Sequence, residues 1–228
     1  MPQPDTTEQT EPRGEREQTE PRGEREQTEP RGEREHAERP AAGELPVATI
    51  SDAMERFGVA DGIRPLWRGA ALSGPAFTVW TRPGDNAGLH AAFERIRRGE
   101  ILVVSGGGDE TRALIGELVA EKALALGVGG IVLDAAARDV VELERVGVPV
   151  FARAVTPAGP WKTGPYRLGA TVAVGGVAVA PGDWVVGDDD GVAIVPAARV
   201  EAVVAATHEL LRGEGERREA NRRLVPRG

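Results

Sequence analysis

Residues 130–151, GIVLDAAARDVVELERVGVPVF, contain the pattern from which the fold class follows. A run of branched apolar residues, typical of a buried strand, is followed by three alanines and then by Arg138 and Asp139. The segment VVELERVG after them predicts a short helix, and VPVF predicts another strand. Strands that alternate with helices in this way indicate an α/β layered domain.

The flanking sequence continues the alternation. The predicted elements before residue 130 are a helix over TISDAMERFG (49–58), with Thr49 and Asp52 at capping-box spacing, a strand over GPAFTVWT (74–81), a helix over NAGLHAAFERIRRG (86–99), a strand over ILVV (101–104) and a helix that ends near Gly127. After Thr156, short apolar runs separated by Gly, Pro and Asp predict an antiparallel β section. A final helix is expected from about Ala197.

The composition restricts the function classes. The chain of 228 residues has no cysteine, which excludes thiolate nucleophiles and Cys-based zinc sites, and its three histidines lie far apart. Any metal is therefore expected to be a hard, oxygen-liganded ion such as Mg²⁺ or Mn²⁺. The net charge of -8 argues against nonspecific nucleic-acid binding. No run of apolar residues is long enough for a membrane span, and we predict a cytoplasmic protein without membrane partners.

The domain boundaries follow from changes in composition. The motif EQTEPRGER occurs three times from Glu8 without an apolar residue, so residues 1–43 are predicted to be a disordered tail. Residues 44–222 are expected to form the catalytic domain. Residues 223–228 are predicted to form a C-terminal tail. Its LVPRG sequence matches a common protease-cleavage linker, so this segment is either part of the natural protein or a linker that was joined to it.

Two other motifs have ordinary structural explanations. The stretch VVSGGGDETR (103–112) could place backbone amides around an anion, but it has neither a P-loop nor a dinucleotide fingerprint. A plain strand-to-helix turn explains it better than a nucleotide site or a methyltransferase loop. The three carboxylates of GDDDGVAIV (187–195) lack the alternate spacing and terminal Glu of a calcium loop, which favours an acidic turn between strands.

Gly116 lies in a stretch that otherwise predicts a continuous helix, where a glycine would cost about 1 kcal/mol relative to alanine. The cost disappears if the helix begins there. The amides of Leu118 and Val119 would then be free to bind a carboxylate, with Glu117 beside them. A small residue chosen for close helix packing explains Gly116 equally well.

Arg138 and Asp139 end a core strand at the edge where ligands bind in α/β sheets. Two charges in such a place form either a structural ion pair or a site. Because adjacent side chains often diverge, we favour separate roles, in which the Arg138 guanidinium holds a carboxylate and Asp139 holds a cation.

The sequence resembles the RraA-like family, which includes the 4-hydroxy-4-methyl-2-oxoglutarate aldolases and the regulators of ribonuclease E activity. The resemblance rests on GELVAEKALALGVGGIVLDAAARDVVELERVGVPVFARAVTP together with GPAFTV, RPGDN and VAPGDWVVGDDDGVAIVP, and it extends from about Leu45 to Arg222. It implies an α/β/β/α sandwich of the swivelling-domain type, assembled as a homotrimer or homohexamer with sites between subunits.

The resemblance also implies roles for individual residues. Arg138 matches the family's substrate-binding arginine, Asp139 its metal ligand, and Glu117 the acidic residue that orients a water for proton transfer, at a position where the family commonly has Asp. Gly116, Leu118 and Val119 match the substrate-binding turn and its amides, and Ala135 stands where glycine is common. A C-terminal glutamate of a neighbouring subunit completes the family's site. Glu219 fits it best, with Glu216 as the alternative.

The resemblance therefore implies a divalent-metal-dependent class II aldolase that cleaves 4-hydroxy-2-oxo acids to pyruvate and also decarboxylates oxaloacetate. The alternative is a non-catalytic regulator that binds a ribonuclease or a helicase. The family's regulators lack the aspartate after the arginine, so Asp139 favours the enzyme.

Overall fold

The computed structural model of this protein describes residues 39–224; the EQTEPRGER repeats, and with them the predicted disorder, lie outside that range. In chain order the elements are α1 (Val47–Ala53), β1 (Arg64–Pro65), β2 (Leu72–Thr81), α2 (Ala87–Ala92), β3 (Ile101–Ile115), α3 (Glu117–Leu126), β4 (Gly130–Ala137), α4 (Val140–Val146), β5 (Val150–Val155), β6 (Tyr166–Leu168), β7 (Val172–Val174), β8 (Val177–Val179), β9 (Trp184–Asp188), β10 (Gly191–Val195), a 3₁₀ turn (Ala197–Arg199) and α5 (Val200–Leu224).

The main sheet has the strand order β1-β5-β4-β3-β2-β9-β10, with β6 paired to β2. Strands β2 to β5 pair in parallel, whereas β9 and β10 are antiparallel. Strand β2 joins the two parts, because Leu72–Pro75 pair with β9 and Ala76–Trp80 pair with β3. The hairpin β7–β8 forms a separate small sheet.

Three apolar clusters separate four layers. The first lies between the parallel strands and α2, α3 and α4, the second between the parallel strands and the β7–β10 section, and the third between β9 and β10 and the helices α1 and α5. Strand β4 shows the alternation directly, since Ile131 and Leu133 face the first cluster and Val132 faces the second. This arrangement is the predicted α/β/β/α sandwich.

The first helix differs from its prediction. Helix α1 begins at Val47 after Pro46, two residues before the predicted cap Thr49, and Thr49 is buried inside the helix. The preceding residue, Pro46, has no capping side chain, and the amide of Val47 donates instead to Oδ2 of Asp188 at 2.9 Å. The prediction of a Thr49 cap was wrong because burial of Val47 and Ile50 against the third cluster sets the helix start.

The glycine stretch 106–108 was also mispredicted, because it is part of β3 rather than a strand-to-helix turn. The strand runs on to Ile115, and its pairing with β4 shifts register between Ser105 and Asp109 and again before Ala113. Gly107 and Gly108 have positive φ angles of 70° and 73°, which suits such bulges. No helix begins here, so the geometry of a nucleotide-binding loop is absent from this segment.

Both ends of the domain extend slightly beyond the predicted boundaries. Arg39 donates to the carbonyl of Gly182 at 2.9 Å, and the carbonyl of Pro40 accepts from the Ser73 hydroxyl at 2.5 Å. Helix α5 continues through Leu224, into the expected tail. Within residues 39–224, no helix has both the length and the apolar character needed to cross a bilayer.

The acidic turn was predicted correctly. Residues Asp189 and Asp190 connect β9 to β10, and the carboxylates around them accept hydrogen bonds from backbone amides. Asp188 accepts from Val47 and Asp190, both at 2.9 Å, and Asp189 accepts from Gly69 at 2.7 Å. These hydrogen bonds therefore connect the start of α1 and the loop at Gly69 to the turn between β9 and β10.

Candidate active site

The candidate site lies where β3 and β4 end next to each other. Ile115 and Ala137, the last residues of the two strands, are paired in register, and the amide of Arg138 donates to the carbonyl of Ile115 at 3.0 Å. Helices α3 and α4 therefore begin side by side at the carboxyl edge of the sheet. This is the edge at which open α/β sheets bind ligands.

Arg138 and Asp139 do contact each other, contrary to the expectation that their side chains diverge. The Nε of Arg138 lies 3.3 Å from Oδ2 of Asp139, and the two side chains are 43% and 37% exposed. An ion pair with this exposure contributes about 0–1 kcal/mol to stability. Burial of a structural charge pair does not explain these two residues.

The backbone of Asp139 directs its carboxylate towards α3. Asp139 precedes α4 in the left-handed conformation, with φ 59° and ψ 44°, and its side chain does not cap that helix. Instead its Oδ2 accepts a hydrogen bond from the amide of Glu117 at 3.2 Å. Non-glycine residues with positive φ are uncommon and concentrate at functional sites. The Oδ1 atom has no hydrogen-bond donor among residues 39–224 and is available to a cation.

Gly116 makes the approach of these groups possible. It precedes α3, with φ -149° and ψ -167°, an extended conformation that any residue can adopt. A Cβ atom at this position would overlap Oδ2 of Asp139 and would lie 3.0 Å from Nε of Arg138. Of the two explanations for Gly116, the helix start is confirmed, and the absence of a side chain lets the Asp139 carboxylate and the Arg138 guanidinium lie against the start of α3.

Of the two amides at the start of α3 that were predicted to be free, only one lacks an acceptor among the described residues. The amide of Val119 donates to the carbonyl of Gly116 at 3.1 Å, an i→i-3 bond that tightens the first turn. The amide of Leu118 has no acceptor among the described residues. The amide of Glu117 is directed at Asp139. A carboxylate at the start of α3 would thus meet one free amide, that of Leu118.

Glu117 and Ala135 occupy different environments. Glu117 is the first residue of α3, and its side chain is exposed. Ala135 is fully buried in β4, and its methyl group lies 2.8 Å from where a Cβ at Gly106 would be. Alanine is accommodated there because Gly106 has no side chain.

The single chain does not bring the C-terminal glutamates to Arg138. Glu219 is paired with Arg222 and Arg223 on α5, at 3.9 and 3.5 Å, and α5 packs on α1 in the opposite outer layer. Glu216 is exposed on the same helix. Among residues 39–224, no three carboxylate or imidazole groups are close enough to enclose a metal ion.

A loop that the sequence did not indicate forms one side of the site. Residues 156–165 follow β5 and cross the ends of β4 and β3, where Thr156 donates to the carbonyl of Ala137 at 3.0 Å and Ala113 donates to the carbonyl of Ala158 at 2.8 Å. Gly159 faces Arg138, since a Cβ at Gly159 would lie 3.3 Å from its Nη1. We call residues 156–165 the site loop.

The site loop rests on the turn 82–86, part of the RPGDN motif. Asn86 lies in this turn, is 3% exposed, and its Nδ2 donates to the carbonyl of Leu114 at 3.0 Å. Its Oδ1 is buried without a partner among the described residues. Trp161 is half exposed, and the guanidinium of Arg112 stacks on it at 4.2 Å from the ring centroid. No sequence signal predicted these contacts, because they join residues between 28 and 78 positions apart in the chain.

Comparisons with known proteins agree with this geometry. The sequence pattern of the RraA-like family, described as Aldolase/RraA, matches residues 47–194. A protein of Halalkalibacterium halodurans, provisionally named as a 4-hydroxy-4-methyl-2-oxoglutarate aldolase, is 36% identical over 161 residues, which cover 70% of this chain and 77% of that protein.

Two solved structures have the same fold. Streptomyces coelicolor RraAS2, described as an unusual member of the RNase ES inhibitor RraA protein family, has a TM-score of 0.69 at 29% identity and covers 75% of this chain and 90% of its own. The RNA-processing inhibitor RraA from Thermus thermophilis has a TM-score of 0.61 at 30% identity and covers 67% of this chain and 93% of its own. With the four-layer fold and the arginine–aspartate pair at the start of α4, these similarities show that the chain belongs to the RraA-like family.

Proposed function

We propose that this protein is a divalent-metal-dependent aldolase that cleaves 4-hydroxy-2-oxo acids such as 4-hydroxy-4-methyl-2-oxoglutarate to pyruvate and also decarboxylates oxaloacetate. The observation that carries the proposal is the partly exposed Arg138–Asp139 pair, which precedes α4 and contacts the first residue of α3, with Oδ1 of Asp139 unpartnered among the described residues. The relative from Halalkalibacterium halodurans, whose provisional name is that of such an aldolase, supports it.

Arg138 and the start of α3 would bind the 2-oxo acid. The guanidinium is 43% exposed, and only its Nε faces Asp139, so its Nη groups can form two parallel hydrogen bonds with a carboxylate. The free amide of Leu118 and the positive end of the α3 dipole add favourable interactions with the same negative charge. Together these groups would hold the carboxylate and orient the adjacent carbonyl.

Asp139 fits a single-carboxylate site for Mg²⁺ or Mn²⁺. Mg²⁺ commonly binds to one or two protein carboxylates and fills its other coordination positions with water and substrate oxygens. The unpartnered Oδ1 of Asp139 can provide such a carboxylate oxygen. Such an ion supplies Lewis acidity that stabilises negative charge on the departing pyruvate unit. The protein's own contribution is to fix the Asp139 carboxylate through the Glu117 amide and the Arg138 guanidinium.

Glu117 would assist proton transfer. Its carboxylate is exposed at the first position of α3, next to the amide that binds Asp139. Cleavage of a 4-hydroxy-2-oxo acid removes the proton of the 4-hydroxyl group and delivers a proton to the new methyl group. A carboxylate that orients water at this position can serve both steps.

We further propose that the active form is a homotrimer or homohexamer in the cytoplasm, in which Glu219 of a neighbouring subunit completes the site. Three apolar side chains beside the site are exposed in the single chain, namely Leu118 (78%), Val141 (56%) and Val155 (55%). Apolar groups exposed together commonly mark interaction surfaces. A subunit seated there would cover them and could bring Glu219 within reach.

The direct test is a panel of 4-hydroxy-2-oxo acids and oxaloacetate, assayed for pyruvate with Mg²⁺, with Mn²⁺ and with EDTA. Metal-dependent pyruvate release that EDTA abolishes is the expected result. A complete lack of release from every substrate would refute the aldolase.

The second candidate is a non-catalytic regulator of a ribonuclease or helicase, which the names of the two structural relatives favour. A regulator would bind such a partner without releasing pyruvate from any acid in the panel. The presence of Asp139, whose side chain does not cap α4 and whose Oδ1 is unpartnered among the described residues, favours the enzyme.

A further inference from the structure

Asp85 is a fully buried carboxylate that binds the site loop. Its Oδ2 accepts from the amide of Thr163 at 2.8 Å, the amide of Gly164 at 2.9 Å and the hydroxyl of Thr163 at 3.3 Å. Its Oδ1 accepts from the amide of Ala87 at 2.9 Å. Arg82, 43% exposed, adds a long contact of 3.4 Å to Oδ2. Asp85 thus joins the turn before α2 to the far end of the site loop.

Neighbouring backbone bonds extend this connection. The amide of Trp161 donates to the carbonyl of Gly84 at 2.8 Å, and the amide of Asn86 donates to the carbonyl of Trp161 at 3.0 Å. The guanidinium of Arg112 donates to the carbonyl of Gly159 at 3.0 Å while it stacks on Trp161. Trp161, Thr163 and Gly164 are therefore attached to the turn, and Gly159 is attached to β3 through Arg112.

The hydrogen bonds keep Asp85 ionised. Burial by itself would raise the pKa of Asp85, but the amides of Ala87, Thr163 and Gly164 and the Thr163 hydroxyl lower it below its ordinary value. Since the pKa is lower in the folded protein, the stabilisation is present above the unfolded value of about 4 and is lost as the pH falls through the folded value.

The site loop limits the position of Arg138. The Nε of Arg138 faces the Asp139 carboxylate at 3.3 Å, and its Nη1 would lie 3.3 Å from a Cβ added at Gly159, so the site loop borders the guanidinium. Arg138 is half exposed and has no other side-chain partner among residues 39–224. A displacement of Gly159 away from the site would therefore leave the guanidinium free to take other rotamers.

We propose that Asp85 is a positioning residue for Arg138, which acts by holding the site loop, through Thr163 and Gly164, against the guanidinium. The catalytic consequence rests on the proposed function, whereas the effect on the conformation of Arg138 does not. Asparagine cannot replace Asp85, because both carboxylate oxygens accept from backbone amides. In either orientation, the NH₂ group of asparagine would face an N–H donor and no acceptor.

The test compares Asp85→Asn with Asp183→Asn. Asp183 is also buried and also accepts two backbone amides, from Ala180 at 2.8 Å and Ala197 at 3.0 Å, but these lie at the β9 end of the domain. The control thus loses the same kind of interaction away from the site loop. Both variants should lose some thermal stability.

The first readout does not depend on activity. Arginine modification by phenylglyoxal, followed by mass spectrometry, measures the reactivity of Arg138 relative to Arg145, which is 75% exposed on α4. The relative rate at Arg138 should rise at least threefold in Asp85→Asn and remain unchanged in Asp183→Asn. Equal rates in wild type and Asp85→Asn would overturn the positioning role, whether or not the protein is an aldolase.

The second readout is the KM for the 2-oxo acid. Asp85→Asn should raise KM about tenfold with a smaller change in kcat, because a misplaced guanidinium binds the carboxylate less well in every bound state. The effect should vanish on an Arg138→Lys background, as expected for residues that act through one another. If the wild-type protein shows no turnover, only the aldolase proposal is refuted. If Asp85→Asn still raises KM tenfold in a protein that carries Arg138→Lys, Asp85 does not act through Arg138. If Asp85→Asn does not fold, Thr163→Val should shift both readouts in the same direction. It removes the 3.3 Å hydroxyl bond to Asp85 and the 3.3 Å bond from Arg82 to the same hydroxyl, and it keeps both amide bonds to Asp85.

Discussion

The amide of Glu117 donates a hydrogen bond to Oδ2 of Asp139 at 3.2 Å, so the first residue of α3 fixes the carboxylate that precedes α4. Two crossover helices are thereby joined at their N-termini. One oxygen of Asp139 is used for this connection and the other remains unpartnered. Replacement of Asp139 should therefore have a small effect on stability and a large effect on activity.

Asp139→Ala should abolish metal-dependent pyruvate release from 4-hydroxy-4-methyl-2-oxoglutarate and from oxaloacetate, because the cation would lose its direct protein ligand. The variant should remain folded, since the carboxylate is 37% exposed and an ion pair of this kind contributes about 0–1 kcal/mol. Turnover and melting temperature should be measured on the same preparations. A stable variant with wild-type turnover would remove the metal role of Asp139.

Gly116→Ala should reduce turnover at least as strongly as Arg138→Ala. The added methyl group would overlap the Asp139 carboxylate and crowd the Arg138 guanidinium, while the backbone angles of Gly116 are open to alanine. The loss should therefore come from displacement of the two side chains. Far-UV circular dichroism and turnover separate this effect from unfolding; normal activity in a folded variant would show that the carboxylate can move at no cost.

The alternation of strands and helices, and the position of Arg138 and Asp139 after β4, could be predicted from local sequence because both depend on neighbouring residues, whereas the four-layer arrangement was implied by the family resemblance. The apolar run 130–137 predicted β4, and Gly116 marked one possible start of α3. Asp85 and Gly159 gave no such signal. Their roles depend on contacts between segments about 20 to 80 residues apart in the chain, and a buried aspartate in the RPGDN motif cannot be distinguished from a turn residue by its spacing. The start of α1 was mispredicted for the same reason, since tertiary burial outweighed the local cap signal.

Arg153→Leu should destabilise the fold without acting on the site directly. The guanidinium of Arg153 pairs with Asp134 on β4, whose side chain is 10% exposed and also accepts from the amide of Gly175 at 3.4 Å. Removal of the cation leaves a buried carboxylate uncompensated, which typically costs about 3–5 kcal/mol. Urea unfolding measures the loss. Asp134→Asn combined with Arg153→Leu should recover part of it, and an additive double variant would mean that the pair is not coupled.

Two inactive variants should restore activity to each other if Glu219 completes the site of a neighbouring subunit. Asp139→Ala removes the residue from one side of such a site, and Glu219→Gln removes it from the other. In a cyclic trimer that contains both kinds of subunit, one of the three interfaces combines an intact Asp139 with an intact Glu219, which predicts recovery of about one third of the wild-type turnover. Coexpression with two affinity tags isolates the mixed oligomers, and light scattering gives their size.

Glu216→Gln in place of Glu219→Gln tests the alternative residue, since only the variant that lowers turnover by itself can be complemented. An active monomer, or mixed trimers no more active than either parent, would show that each chain carries a complete site, and the exposed Leu118, Val141 and Val155 would then need another explanation.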